Sequence, residues 1–147
     1  MDAMTSKSLE FEAQGVPPIK SQLWAQTAHA GACHQTRRKA YEAMTSQSLD
    51  KFISDIGLEL EIFGRRDELD EIGDLGNMLD GVCDGLSKRR GGNPNMKPSW
   101  PDFEEDEDCG PDIPLLYDDD KIIMSLKGLK IVADVEMYYT VKIFELQ

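Results

Sequence analysis

Hydrophobic and polar positions alternate with a period of two where Leu9, Phe11 and Ala13 are separated by Glu10 and Glu12 and followed by Gln14. A strand points successive side chains to opposite faces, so this spacing predicts a strand with one buried side. The "GVPP" that follows ends it, because proline has no N–H to donate to a ladder. Residues 19–36 carry no clear period and read as a long loop. From Thr36 the period changes. Tyr41, Met44, Ser48, Leu49, Phe52, Ile53 and Ile56 recur at spacings of three and four, which predicts a helix with one apolar stripe, stopped by Gly57 as a C-cap. "LELEIFG" returns to alternation, with Leu58, Leu60 and Ile62 on one side of a second strand.

A second helix is predicted from Met78, Leu79, Val82, Cys83 and Leu86, which again follow helical spacing. Residues 87–114 combine "KRRGGNPNMKP" with "DFEEDEDCGPD". Glycine, proline and like charges over that length predict an exposed, flexible acidic insertion. "KIIMSLKGLKIV" and "VEMYYTVKIFEL" then read as two strands joined by a short turn near Ala133 and Asp134. In the last one Val135, Met137, Tyr139, Val141 and Ile143 share a face, while Tyr138 and Phe144 lie on the other. The predicted order is β-α-β-α-β-β. It describes one α/β (α+β) domain over residues 1–147, a mixed sheet covered by two helices.

Composition narrows the chemistry. The formal net charge of −12 argues against a simple phosphate-binding surface, since affinity for nucleic acid comes mainly from Lys and Arg. No apolar run approaches the ~18 residues that span a bilayer, and the first residues have no apolar signal core, so a cytoplasmic protein is expected. The three cysteines contain no CxxC pair, which indicates neither a disulfide framework nor a structural zinc site. His29, Cys33 and His34 offer only three donors and read as loop residues.

Carboxylates are the remaining candidates. Asp74 and Asn77 fall at the start of the second helix, and Asp118, Asp119 and Asp120 at the entrance of the third strand. If that strand runs beside the second, the two groups can meet at one edge of the sheet. Clustered oxygens with little histidine nearby suit Mg2+ or Mn2+, and phosphate-ester chemistry with it. The commoner fates of such residues are a helix cap for Asp74 and a solvated turn for "YDDDK".

The run "DLGNMLDGVCDGL" (Asp74 to Leu86), followed by "YDDDKII" (Tyr117 to Ile123), resembles the RusA family of Holliday-junction resolvases. That family's hallmark is D-x-D-N-x-x-K-x-x-x-D-x-L, then a D-D pair and a strand. "GVPPIKSQ" (Gly15 to Gln22) is similar to its early Pro-Pro turn. The resemblance implies a RusA-like fold, a homodimer, and Mg2+-dependent cleavage of branched DNA in recombination and repair. Asp74 and Asp119 would be catalytic carboxylates. Asp118 would complete the D-D pair, while Asn77 and Asp84 match the asparagine and the later helix aspartate. Two positions depart. Gly76 stands where a second aspartate belongs, and Asp80 where the lysine belongs. Asp80 or Asp120 would then have to serve as substitute ligands. The cation would come from Lys121, from Lys88, Arg89 and Arg90, or from a patch of Arg37, Arg38 and Lys39. The resemblance thus leaves two expectations. One is an endonuclease with an altered site. The other is an inactive RusA-like dimer that binds or regulates an unknown protein partner.

Overall fold

Strand β1 (Ser8–Gln14) buries Leu9, Phe11 and Ala13 and turns the polar residues between them outward, as its alternation requires. The computed structural model describes residues 7–19, 30–88, 109 and 113–146. Helix α1 (Ala30–Gln47) follows, then β2 (Ile56–Gly64), α2 (Arg66–Glu71), α3 (Leu75–Gly85), a 3-10 turn (Asp120–Ile122), β3 (Ile123–Val132) and β4 (Tyr138–Glu145). The expected element types recur in the expected order, with α2 added between β2 and α3.

The four strands form one mixed sheet in the order β1-β4-β2-β3. β4 is antiparallel to both β1 and β2, and β3 runs parallel to β2 along its outer edge. Parallel neighbours need a crossover, and the chain through α2 and α3 supplies it. The connection between β3 and β4 runs over residues 133–137, longer than the turn expected at Ala133 and Asp134, so Val135 and Met137 precede the strand; it does not close a hairpin. It passes over the end of β2, where the Ala133 N–H donates to the Gly64 carbonyl at 2.8 Å. β4 thereby fills the slot between β2 and β1 and buries Tyr139, Val141 and Ile143. These residues meet Leu58, Leu60 and Ile62 of β2, Ala40 and Met44 of α1, and Met78, Val82 and Leu86 of α3 in a single core. The described helices therefore pack on one face of the sheet.

Helix α1 differs from expectation at both ends. It starts at Ala30, not Thr36, so the stretch read as a loop is helical over its last part. The apolar signal is weak there because the inward face carries His34, Thr36 and Arg37 beside Cys33. It stops at Gln47, well before Gly57. Ser48 takes a left-handed φ of 53°, Leu49 N–H reaches back to the Met44 carbonyl at 2.9 Å, and Ser48 N–H to Thr45 at 3.2 Å. That is a Schellman ending without its usual glycine. Gly57 lies instead inside β2, under the ring of Phe144, where a Cβ would come within 2.5 Å of the ring.

Candidate functional site

Asp74 caps α3. Its Oδ1 accepts from the Gly76 N–H at 3.0 Å, satisfying one of the free donors at a helix start. Asp119 does the same for the 3-10 turn, with Oδ1 accepting from the Lys121 N–H at 2.9 Å. Asp118 forms an exposed ion pair with Lys51 at 2.7 Å. The expected pairing of β3 with Leu58–Phe63 is present.

The two acidic groups nonetheless sit at opposite ends of β3. Lys130 Nζ donates to the Leu69 carbonyl at 2.8 Å and the Gly73 carbonyl at 2.7 Å, which fixes the start of α3 beside the far end of the strand. Leu79 lies over Gly128 midway along. Asp120, at the strand's beginning, acts electrostatically on Cys83 near the end of α3. The helix and strand are therefore antiparallel. From Ile123 to Lys130 the strand advances about 23 Å at ~3.3 Å per residue, so Asp74 and Asp119 are too far apart to share one ion within a chain. A crossover helix returns against its strands, and that direction separates the start of the helix from the start of the next strand. Asp80 and Asp84 lie with Asp120 around Cys83, away from Asp74. Among the described residues, no group of three or more His, Cys, Asp or Glu stands close enough together to hold a metal ion.

The basic candidates separate too. Arg37 does not face phosphate; it is completely buried. Its Nε donates to the Cys109 carbonyl at 2.9 Å, and its Nη1 to Gly85 at 2.7 Å and Ser87 at 2.6 Å. Its Nη2 donates to the Ile113 carbonyl. The guanidinium is a clasp that ties the end of α3 to Cys109 and Ile113, which fall inside the stretch expected as an exposed insertion. The cause is helical phase: Arg37 falls between Cys33 and Ala40 on the inward face, while Arg38 and Lys39 fall outside. Lys39 approaches Glu42 at 3.9 Å, and Lys88 is exposed. Arg89, Arg90 and most of the insertion expected at 87–114 lie outside the described residues, as does His29. Cys33 and His34 are buried in α1 and are not loop residues. Burial pushes the Cys33 thiol up to about 12, against a weaker opposing pull from Arg37. Burial first, then Asp120, Asp84 and Asp80, raise Cys83 to about 12.

Two features lay beyond the reach of the motifs. One is a cleft of about 1030 Å³ between the end of β1, α1, α2 and the start of β4. Val16, Pro17, Ile19, Ile72 and Met137 give it apolar walls, and Glu68, Glu71 and Glu136 line it with carboxylates. Such a site suits a cationic group carried on an apolar stem. Its signal was hidden in "RDELDE", too polar to show a helical stripe. The other is the sheet face opposite the helices, which carries Glu10, Lys142, Glu59 and Lys127 in one row across all four strands.

No family model matches the chain, and no curated protein matches it. Among the described residues, no helix is long and apolar enough to cross a membrane.

Proposed function

We propose that this chain is a RusA-like protein of the junction-resolvase lineage that works as a paired binding protein and does not cut DNA. The observation that carries this reading is the separation of Asp74 from Asp119 along the length of β3. Phosphodiester hydrolysis of this kind needs a metal held by both motif groups, and each carboxylate here already accepts a backbone N–H at the start of its own helix. Gly76 brings no ligand, and Asp80 brings negative charge where the family has a cation. The net charge of −12 and the carboxylates of the cleft favour a partner that presents Lys or Arg among apolar residues over one that presents phosphate. That chemistry describes a basic protein segment.

The test is incubation of the purified protein with a four-way DNA junction in Mg2+ and then in Mn2+. The expected result is an intact junction. Symmetric nicking that Asp119→Asn abolishes would overturn the proposal.

A further inference from the structure

The two outer strands of the sheet differ in how they meet solvent. At β1, Leu9, Phe11 and Ala13 are buried in the core shared with α1, and the residues between them are polar, with Glu10 and Glu12 exposed. Charges on an outer strand discourage another strand from pairing there. β3 lacks that protection. It runs for ten residues, and β2 is its one strand neighbour among the described residues. Of the eight large hydrophobic residues exposed among the described residues, four are Met124, Leu126, Leu129 and Val132 of this strand, each 40–65% exposed. Register against β2 sets Leu126 and Val132 level with Leu58 and Gly64, on the helix side, and Leu129 level with Glu61, on the open side. Apolar groups therefore flank the edge on both faces. Between them lie the N–H and C=O groups that point away from β2, the template on which a further strand pairs.

Charge narrows what that strand is. β3 carries Lys127 and Lys130 and no acid, in a chain with 28 acidic residues. Lys130 is held on the helix side by the Leu69 and Gly73 carbonyls. Lys127 is exposed on the open side, where Glu59 of β2 flanks it inwardly and the edge lies outward. We infer that β3 takes up an extended segment of another protein as a fifth strand, with apolar residues on its helix side and a carboxylate on its open side at the level of Lys127. Backbone hydrogen bonds to the edge supply affinity. The apolar residues continue the surface of Leu126 and Val132, and the carboxylate pairs with Lys127 across the strands. A second β3 laid along the same edge would bring lysines and no acid, so like charges would gather there. This inference rests on the edge of β3 and not on the separation of the motif carboxylates, so it stands or falls apart from the cleavage test.

The experiment uses the full chain and a labelled peptide, TVEVTVEV, whose valines share one face and whose glutamates share the other. Binding is read by fluorescence anisotropy, and its location by amide hydrogen exchange. The peptide should bind and slow exchange in β3 more than in β1. Methylating two adjacent central amides of the peptide removes one N–H donor on each of its edges, and should weaken binding by about tenfold or more. Lys127→Glu should weaken binding of TVEVTVEV by about tenfold or more and favour TVKVTVKV in its place. Lost folding would not exchange one preference for the other. No binding of TVEVTVEV, protection of β1 rather than β3, or equal binding of the methylated peptide would each overturn the proposal. An unchanged preference in the Lys127→Glu protein would overturn it too. So would a dimer, seen by sedimentation, that the peptide does not enter and that Leu126→Lys separates, because the edge would then belong to a second copy.

Discussion

Single residues in this chain carry structural work that resembles chemistry when seen in sequence. Arg37 is the clearest case. Four backbone carbonyls converge on a guanidinium with no exposure, so the charge is held by oriented dipoles rather than by solvent. Arg37→Met should leave those carbonyls without donors and cost about 3–5 kcal/mol, read as a lower urea midpoint. Removing a residue that only touched DNA would leave that midpoint unchanged. The buried thiols give a second prediction. Thiols in the unfolded chain titrate at 9.0, whereas Cys33 and Cys83 are raised to about 12 in the fold. Burial raises Tyr139 as well, against a weaker opposing hydrogen bond from Thr36. Each group keeps its proton longer when folded, so the folded state binds more protons above pH 9 than the unfolded one. Their contribution is fully present below pH 9 and is lost as pH rises from about 9 towards 12. Alkaline titration should therefore show the melting temperature falling over that window. A flat profile would show that these groups are hydrated.

At the scale of elements, α3 and the Pro-Pro segment after β1 make the tightest approach found at any described glycine. A Cβ on Gly81 would lie 2.1 Å from the Pro18 carbonyl oxygen and 2.8 Å from the Ile19 Cα, both backbone atoms that cannot swing aside. Gly81→Ala should cost about 1–3 kcal/mol by overpacking, despite alanine's better helix propensity. A stabilised Gly81→Ala protein by thermal melting would show that the two segments do not touch. Much of this level was legible in the sequence. The alternation at Leu9–Ala13, at Leu58–Ile62 and at Tyr139–Ile143 marks the buried face of three strands, because a period of two survives whatever the strands pair with. The first turns of α1 were not legible, since His34, Thr36 and Arg37 break its stripe while being satisfied internally; Thr36, for one, bonds the Tyr139 hydroxyl. Neither was α2, whose single buried residue is Leu69. Pairing order was hidden as well, because nothing in "VADVEM" signals that the turn passes over β2.

For the whole molecule, the sequence locates the acidic groups but not their distance. Asp74 caps α3 as its place before the helical stripe suggests, whereas Asp119 caps a 3-10 turn that comes before β3 and that no periodicity announces. Whether two starts meet depends on the direction of a crossover, which is a property of the sheet rather than of either motif. The charge row of the open face is invisible for the same reason, since Glu10, Glu59, Lys127 and Lys142 become neighbours only through register. Direction also decides what repair of the motif would do. Gly76→Asp places a second carboxylate beside Asp74, whose Oδ1 would lie 3.5 Å from the new Cβ. Asp80→Lys supplies the absent cation one turn along the same helix. Neither change brings Asp119 nearer. The most direct measurement is therefore four-way junction cleavage in Mn2+ by the natural chain and by the Gly76→Asp/Asp80→Lys variant side by side. Both should leave the junction intact. Cutting by either protein that disappears with Asp119→Asn would show that the two ends of β3 serve one metal site after all.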